Sequence, residues 1–293
     1  MSNTPIPRPE YPRPQFVRKD WLNLNGEWHF EVDHGRSGIQ RGLMNADGLS
    51  ERIIVPFCPE SELSGIGNKD FMQAVWYMKK GEIPKEWEGK RIILHFGAVD
   101  FMSRVWINGK EAGTHKGGYT SFSFEITDLL QSGENKIALY VEDDTRSSGQ
   151  AGGKQCPDYY SRGCHYTRTT GIWQTVWLEA VPKTYIADVK LTPDLDNERL
   201  LIEAKLDGDT KGMVLKAQAM ADSSLASEGK AKCFGPSSVM SLDFCDVRTW
   251  SPEDPFLYDL KLTLESDGNA VDCVDSYFGM RSIKIVPPAI LIN

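Results

Sequence analysis

The sequence predicts an all-β protein made of two consecutive β-sandwiches. Apolar and polar residues alternate with period two in the stretches 91–96, 121–126 and 136–141, as in antiparallel strands with one buried face. Asn108 followed by Gly109 favours a two-residue hairpin turn. Many short strands separated by such turns are typical of sandwich folds.

A domain boundary is predicted near Pro182. The segment 1–182 contains the strands above, together with a short helical turn near 127–130, and is expected to form a jelly-roll-like sandwich. The segment 183–285 is expected to form an immunoglobulin-like sandwich of five to seven strands, with a hairpin turn at 267–269. Its strand candidates are residues 189–192, 200–206, 214–220, 239–244 and 257–264.

Composition excludes several functional classes. The 293 residues carry a net charge of −8, with 40% hydrophobic and 25% charged residues, which is ordinary for a globular protein. An acidic balance disfavours nucleic acid as a partner, because phosphate binding depends on Lys and Arg. No apolar stretch approaches the length of a membrane-spanning helix, so no membrane partner is expected.

The cysteines indicate a reducing compartment. The six are scattered without a C-x-x-C pair, and a chain of this length does not need a disulfide framework. We therefore expect free thiols, a cytoplasmic location, no metal site and no cofactor. A bridge between Cys156 and Cys164 is the less favoured alternative.

Several short motifs lie in a consistent order along the chain. They are Leu24-Asn-Gly-Glu-Trp28, Val55-Pro-Phe-Cys-Pro-Glu60, Val105-Trp-Ile-Asn-Gly109, Thr170-Gly-Ile-Trp173, Trp250-Ser-Pro-Glu-Asp-Pro255 and Tyr277-Phe-Gly-Met-Arg281. Together they resemble the N-terminal part of glycoside hydrolase family 2, which includes β-galactosidases and β-glucuronidases. Taken alone, each motif is typical of scaffold packing, and Trp28 and Trp250 are expected to be core residues.

The resemblance implies a retaining glycosidase whose two catalytic glutamates lie on a TIM barrel. Residues 286–293 resemble the start of the linker to that barrel, and no catalytic residue is predicted within this chain. Asn197 and Glu198 form the one Asn-Glu pair, but they lie in a polar turn between predicted strands. We therefore expect the chain alone to hydrolyse no glycoside. The resemblance favours β-galactosides as substrates of the full enzyme, ahead of β-glucuronides and β-mannosides.

The segment 143–168 is the predicted site. It follows a strand and contains no strand pattern, and long connections of this kind are often binding loops. The resemblance implies that this loop borders the sugar pocket, and that an acidic residue occupies the position of His165 in several relatives. The candidate substrate-binding residues are Asp143, Asp144, Asp158, His165, Tyr166 and Arg168.

Trp106 and Trp177 each alternate with aliphatic residues. If the aliphatic residues face the sandwich core, both tryptophans lie on the opposite face. That face could bind sugar, be covered by a neighbouring domain or pack as an ordinary second layer. We favour docking of the catalytic barrel, which predicts an exposed apolar patch around both rings.

Two further functions remain open. The chain could be a free-standing carbohydrate-binding module, which requires a complete aromatic platform, or a scaffold subunit of a split glycosidase. The expected partners are a carbohydrate and the missing catalytic barrel, and self-association into a homo-oligomer is left open. Calorimetric titration with sugars discriminates between a complete and an incomplete binding site.

Overall fold

The computed structural model describes residues 5–147 and 149–293, and it confirms the all-β class. Two compact units form: residues 5–12 with Asp20–Ala180, and Arg13–Lys19 with Val181–Asn293. Within the described residues, no helix is long and apolar enough to cross a membrane. The only helical segments there are 3₁₀ turns, at Leu43–Asn45, Glu62–Ser64, Lys85–Trp87, Thr127–Leu129 and Leu195–Asn197.

The first unit is a sandwich of a four-stranded and a six-stranded sheet. Its strands are β1 (Trp21–Asn23), β2 (Gly26–Val32), β3 (Glu51–Val55), β4 (Ala74–Glu82), β5 (Arg91–Phe96), β6 (Val99–Asp100), β7 (Met102–Ile107), β8 (Lys110–Lys116), β9 (Phe122–Glu125), β10 (Glu134–Glu142), β11 (Gly171–Ile172) and β12 (Val176–Val181). The sheet orders are β1-β12-β5-β9 and β3-β2-β4-β10-β7-β8, and β6 pairs separately with β11.

The core of this unit lies between the two sheets. Leu94 and Phe96 of β5 face Leu139 and Val141 of β10 across it, and all four are fully buried. The period-two prediction therefore identified the inner faces of both strands. Asn108 and the glycine after it adopt positive φ angles of 52° and 80°, which form the predicted hairpin turn between β7 and β8.

The outer face of the six-stranded sheet carries a second apolar layer. Trp106 of β7 stacks on Trp76 of β4 with ring centroids 5.5 Å apart, and Tyr140 of β10 packs against the same ring. Leu43 and Leu49, from the segment 33–49, cover these rings. Asp33 fixes the start of that segment by accepting hydrogen bonds from Trp76 Nε1 at 3.1 Å and from the Gly38 amide at 2.7 Å.

The predicted docking surface at Trp106 and Trp177 is therefore wrong. Trp106 is 4% exposed and Trp177 is 1% exposed, so neither ring is part of an exposed patch. Trp177 stacks on His95 of the neighbouring strand with centroids 4.7 Å apart, and its Nε1 donates to Glu179 at 2.9 Å. The chain's own residues supply the second layer that was assigned to another domain.

The second unit is also a sandwich, with sheet orders β13-β14-β17 and β16-β15-β18-β19. Its strands are β13 (Tyr185–Asp194), β14 (Arg199–Asp207), β15 (Met213–Ala221), β16 (Ser224–Lys232), β17 (Ser237–Asp243), β18 (Tyr258–Ser266) and β19 (Asn269–Phe278). A further hairpin consists of β20 (Ile283–Val286) and β21 (Ala289–Ile292). The strand β16 was not predicted, because this edge strand is largely exposed and carries few apolar residues.

The segment Arg13–Lys19 is held by a buried ion pair of the second unit. Arg18 pairs with Asp272 of β19, and both side chains are 4% exposed. Arg18 also donates to the Ile186 carbonyl, and Asp272 accepts from the Ile186 amide at 2.8 Å. Two charges removed from water are tolerated here because additional hydrogen bonds satisfy both groups.

Replacing Asp272 by Ala is expected to destabilise the second unit by about 3–5 kcal/mol, because it leaves the buried Arg18 charge uncompensated. The matched control is Glu203→Ala, which removes the exposed pair between Lys190 and Glu203 and is expected to cost about 0–1 kcal/mol. Urea unfolding followed by fluorescence measures both variants. Equal losses in the two variants would contradict the role assigned to this pair.

Candidate functional site

The loop between β10 and β11 is closed at its base by Asp143 and Thr170. The Thr170 hydroxyl donates to Asp143 Oδ2 at 2.9 Å, and the Asp143 amide donates to the Gln73 carbonyl at 3.1 Å. Gln150 Nε2 donates to the other Asp143 oxygen at 2.5 Å. Asp143 therefore joins both ends of the loop to the sandwich.

Arg168 organises the interior of the loop. Its guanidinium donates to the Asp158 carbonyl at 2.6 Å and to the carbonyls of Cys156 and Lys69. It lies 4.0 Å from the centroid of the Phe71 ring, and Arg146 contacts the same ring at 3.5 Å. A planar group with several donors is suited to this combination of stacking and carbonyl binding.

A short backbone pairing completes the loop. The Cys156 amide donates to the Tyr166 carbonyl at 2.7 Å, and the Tyr166 amide donates to the Lys154 carbonyl at 2.7 Å. All six cysteines are free thiols, so hydrogen bonds and the Arg168 contacts hold the loop without a disulfide.

Three carboxyl groups are buried beneath the loop: Glu60, Asp100 and Asp143. Glu60 Oε2 accepts from the Thr170 amide at 3.2 Å, and Asp100 Oδ2 accepts from Gln155 Nε2 at 2.6 Å. Asp100 thus anchors the middle of the loop at Gln155, whereas Glu60 and Asp143 both anchor its end at Thr170. Glu60 Oε1 and Asp100 Oδ1 have no hydrogen-bond partner among residues 5–147 and 149–293.

Burial governs the protonation of this cluster. It raises the pKa of Glu60 to about 7 and, together with the charge of Asp143, raises the pKa of Asp100 to about 7. Burial also raises the pKa of Asp143. Carboxyl groups in this range exchange protons near neutral pH, which is common in binding and catalytic sites. Glu60 and Asp100 are therefore protonated over a wider pH range than exposed carboxyl groups.

Tyr77 of β4 lies at the centre of the cluster. Burial and the neighbouring Glu60 carboxylate raise the pKa of Tyr77 well above its ordinary value. Its hydroxyl accepts from the Ile172 amide at 3.3 Å. Gly171 allows this approach, because its φ is +76° and a Cβ at this position would lie 2.2 Å from the Tyr77 oxygen.

The structure divides the six predicted site residues into two groups. Asp143 and Arg168 are buried and maintain the loop, whereas Asp144, Asp158, His165 and Tyr166 are at least partly accessible. Asp158 pairs with Arg162 at 2.5 Å, and this hydrogen bond lowers the pKa of Asp158. Asp144 lies 3.7 Å from Arg36. The His165 amide donates to the Arg162 carbonyl at 3.0 Å.

Sequence reasoning missed two sets of residues at this site. Glu60 and Asp100 were not among the candidate site residues, since nothing local distinguishes a buried acid from an exposed one. The second set consists of tyrosines that expose their rings around the loop: Tyr119, Tyr159 and Tyr160, which accompany the predicted Tyr166. Adjacent aromatic residues within a polar loop were the available signal.

The Asn-Glu pair that the sequence singled out lies outside this cluster. Glu198 lies exposed in the turn before β14 with a φ of 53°, as the sequence predicted for a polar turn. Among the residues described, no group of three or more His, Cys, Asp or Glu side chains could hold a metal ion.

Substituting Gly171 by Ala is expected to disrupt the contact between β11 and Tyr77. The matched control is Gly133→Ala, since Gly133 has a similar φ of +82° but open space around its Cβ position. The control is expected to cost about 1–2 kcal/mol for the left-handed backbone. Gly171→Ala should cost a further ~1–3 kcal/mol for overpacking. Urea unfolding compares the two, and indistinguishable losses would contradict the proposed close contact.

The stability of the first unit is expected to fall as pH rises. The folded state binds protons at Glu60 and Asp100 more tightly than the unfolded chain, so their stabilising effect is complete below about pH 4 and is lost as pH approaches 7. Between about pH 5 and 8 each group should account for a loss on the order of 2–3 kcal/mol. Unfolding of the wild type and of Glu60→Gln at both pH values measures this loss.

The variant Glu60→Gln should show a shallower pH dependence than the wild type. Asp158→Asn serves as the control, because this exposed residue has a lowered pKa and titrates below that pH range. If the free energy of unfolding of Glu60→Gln depends on pH as steeply as that of the wild type, the buried glutamate is not the source of the pH dependence. An equal change in the control would lead to the same conclusion.

Comparisons with known proteins support one family along most of the chain. Residues 63–182 match the model described as "Glycosyl hydrolases family 2, sugar binding domain", and residues 184–281 match the model "Glycosyl hydrolases family 2". The two matches are consecutive and together cover about three quarters of the sequence.

Several curated relatives are glycosidases by name. A putative β-glucuronidase of Formosa agariphila is 30% identical over 70% of this chain and 25% of its own length. A β-galactosidase of Streptococcus thermophilus is 28% identical over 92% of this chain and 28% of its own. The β-glucuronidase of Canis lupus familiaris is 27% identical over 97% and 48% respectively. The chain thus spans between a quarter and half of these relatives.

Solved structures share the fold. A β-glucuronidase from Ruminococcus gnavus, in complex with C6-substituted uronic isofagomine, superposes with a TM-score of 0.77 at 20% identity, covering 94% of this chain and 48% of that one. A Bifidobacterium dentium β-glucuronidase, complexed with coumarin-3-O-glucuronide, gives 0.76 at 20% identity, with 94% and 51% coverage. With two consecutive family models and the shared two-sandwich fold, the chain belongs to glycosyl hydrolase family 2.

Proposed function

We propose that this chain is the non-catalytic N-terminal portion of a retaining family 2 β-glycosidase. In this proposal residues 1–182 form the sugar-binding domain, 183–285 the immunoglobulin-like domain and 286–293 the start of the linker. The two consecutive family matches carry this proposal. The relatives are about two to four times longer than the aligned part of the chain, which leaves room in them for a barrel of about 250 residues.

The β10–β11 loop contributes the border of the sugar pocket in this proposal. Buried Asp143 and Arg168 fix its base and interior, so the accessible side chains have a rigid support. Asp144, Asp158 and His165 would then supply polar contacts to sugar hydroxyls. Rigid loops carried on a sandwich scaffold are common binding elements.

The substrate of the full enzyme would be a β-galactoside or a related β-glycoside such as a β-glucuronide. Relatives with either name align with more than nine tenths of this chain. Hydrolysis would use a glutamate acid/base and a glutamate nucleophile about 5 Å apart on the barrel. The protein would act in the cytoplasm, and the barrel would be its principal structural partner.

The exposed tyrosines favour a second candidate, a carbohydrate-binding module that works without the barrel. Tyr160 is 80% exposed and Tyr166 is 61% exposed, on the same loop as Tyr159. Aromatic rings are large amphipathic surfaces with an apolar body and a polar hydroxyl. A sugar could stack on such rings without any catalytic residue.

Two measurements on the 293-residue chain test these proposals. We expect no release of 4-nitrophenol from 4-nitrophenyl β-galactoside or β-glucuronide, because no catalytic pair is assigned here. Calorimetric titration with galactose, glucuronic acid, mannose and short β-linked oligosaccharides should show no binding if the pocket requires the barrel. Measurable hydrolysis would overturn the non-catalytic assignment.

Binding at millimolar or tighter affinity would instead support the module. Tyr160→Ala and Tyr166→Ala should then weaken it by about 1–2 kcal/mol each if the rings stack on sugar. Phe234→Ala is the matched control, because Phe234 is an even more exposed aromatic residue and lies in the second unit. Binding that survives both tyrosine variants would contradict the aromatic platform.

A further inference from the structure

The first unit contains an apolar pocket of about 190 Å³ between its two sheets. Eight aliphatic residues line it, among them Leu22, Ile107, Ile126, Leu130, Ile137 and Leu178 from both sheets and the adjoining turn. The ends of β4 and β10, around Glu82 and Asn135, form its rim. The sandwich core is therefore incompletely filled at this end.

The pocket lies at the opposite end of the sandwich from the β10–β11 loop. At one end of the β4–β10 pair, Ala74 is opposite Glu142, the residue before Asp143, whereas at the other end Glu82 is opposite Glu134. Nine paired residues separate these ends by about 26 Å at the usual rise of a strand. The pocket is thus separate from the proposed sugar site.

Asn135 and Lys79, two of the polar residues that line the pocket, already have hydrogen-bond partners. The Asn135 oxygen accepts from Asn108 Nδ2 and the Gln131 amide, and its nitrogen donates to the carbonyls of Gln131 and Gly133. An amide side chain has two acceptor sites and two donor hydrogens, so Asn135 is saturated. Lys79 donates to the Glu27 carbonyl at 2.9 Å.

Asn23 makes two hydrogen bonds. It donates to the Arg8 carbonyl at 2.8 Å and accepts from the Asn25 amide at 2.9 Å. A buried water needs two to four polar partners, and a Leu/Ile/Phe-lined cavity of about 150 Å³ stays dry and binds benzene or xenon. This pocket is slightly larger and offers water few partners.

We propose that this pocket is a binding site for a small uncharged apolar molecule of the size of one aromatic ring. Such a ligand gains contact with aliphatic side chains from both sheets and displaces no hydrogen-bonded group. Binding to the folded state alone stabilises it by mass action, so the ligand raises the melting temperature of the first unit.

Toluene is the probe that tests the site, with ligand-observed NMR to measure affinity and calorimetry to measure melting. We expect saturable binding to the 293-residue chain with a dissociation constant of about 1 mM or lower, within the range allowed for a seven-carbon ligand. Xenon should compete with it. No saturable binding of toluene by the folded chain would overturn the proposal.

A matched pair of variants locates the site. Leu130→Phe fills the pocket and should weaken toluene binding about tenfold or more, through the lost contact surface. Leu129→Phe is the control, because Leu129 is a similarly half-buried neighbour outside the pocket lining, and it should bind as the wild type does. Melting curves establish that both variants fold. If Leu130→Phe does not fold, Ile137→Val, which enlarges the same pocket, should change the preference between toluene and the larger indole.

Equal binding by Leu130→Phe and Leu129→Phe would place toluene elsewhere and overturn the assignment. Hexanoate tests whether the ligand must be uncharged, because Lys79 and Lys80 lie at the rim and could attract a carboxylate. Weaker binding of hexanoate than of toluene supports an uncharged ligand. Tighter binding of hexanoate would overturn the proposal and identify the pocket as a site for a short-chain carboxylate.

Discussion

The burial of β4 on both faces is the constraint on which the first unit depends. Its inner face places Tyr77 beneath the loop, whereas its outer face places Trp76 under the segment 33–49. A strand covered on both sides cannot shift register by one residue without exchanging these environments. One strand therefore contacts both the region of the acidic cluster, through Tyr77, and the second apolar layer, through Trp76. Towards Glu82 this double coverage ends, and the apolar pocket lies there.

Much of the scaffold could be predicted from the sequence because alternation is a local property. Leu94 and Leu139 point inward as their spacing indicated, and the turn after Ile107 follows from two residues that accept positive φ. Trp106 shows the limit of this reasoning. Alternation placed it on the face away from the core, but what covers that face is a tertiary question. The answer depended on the distant segment 33–49, which has no strand pattern of its own.

The candidate site shows the same limit. The length of the β10–β11 connection predicts a binding loop, and that role stays a prediction. Length alone could not separate supporting residues from accessible ones. Arg168 resembles an ordinary surface cation in the sequence, and its burial depends on carbonyls contributed by Lys69 and Asp158. Glu60 and Asp100 are likewise buried only because Thr170 and Gln155 reach them from more than fifty residues away. Such contacts leave no local trace.

The acidic cluster also couples folding of the first unit to the uptake of protons. Near pH 6 the unfolded chain carries Glu60 and Asp100 as carboxylates, whereas the folded chain carries them largely as neutral acids. Folding at that pH therefore takes up protons from the buffer. The heat of the reaction includes the ionisation enthalpy of whichever buffer supplies those protons. Phosphate and imidazole would give different apparent enthalpies for the same structural change, and the difference would count the protons that the fold acquires.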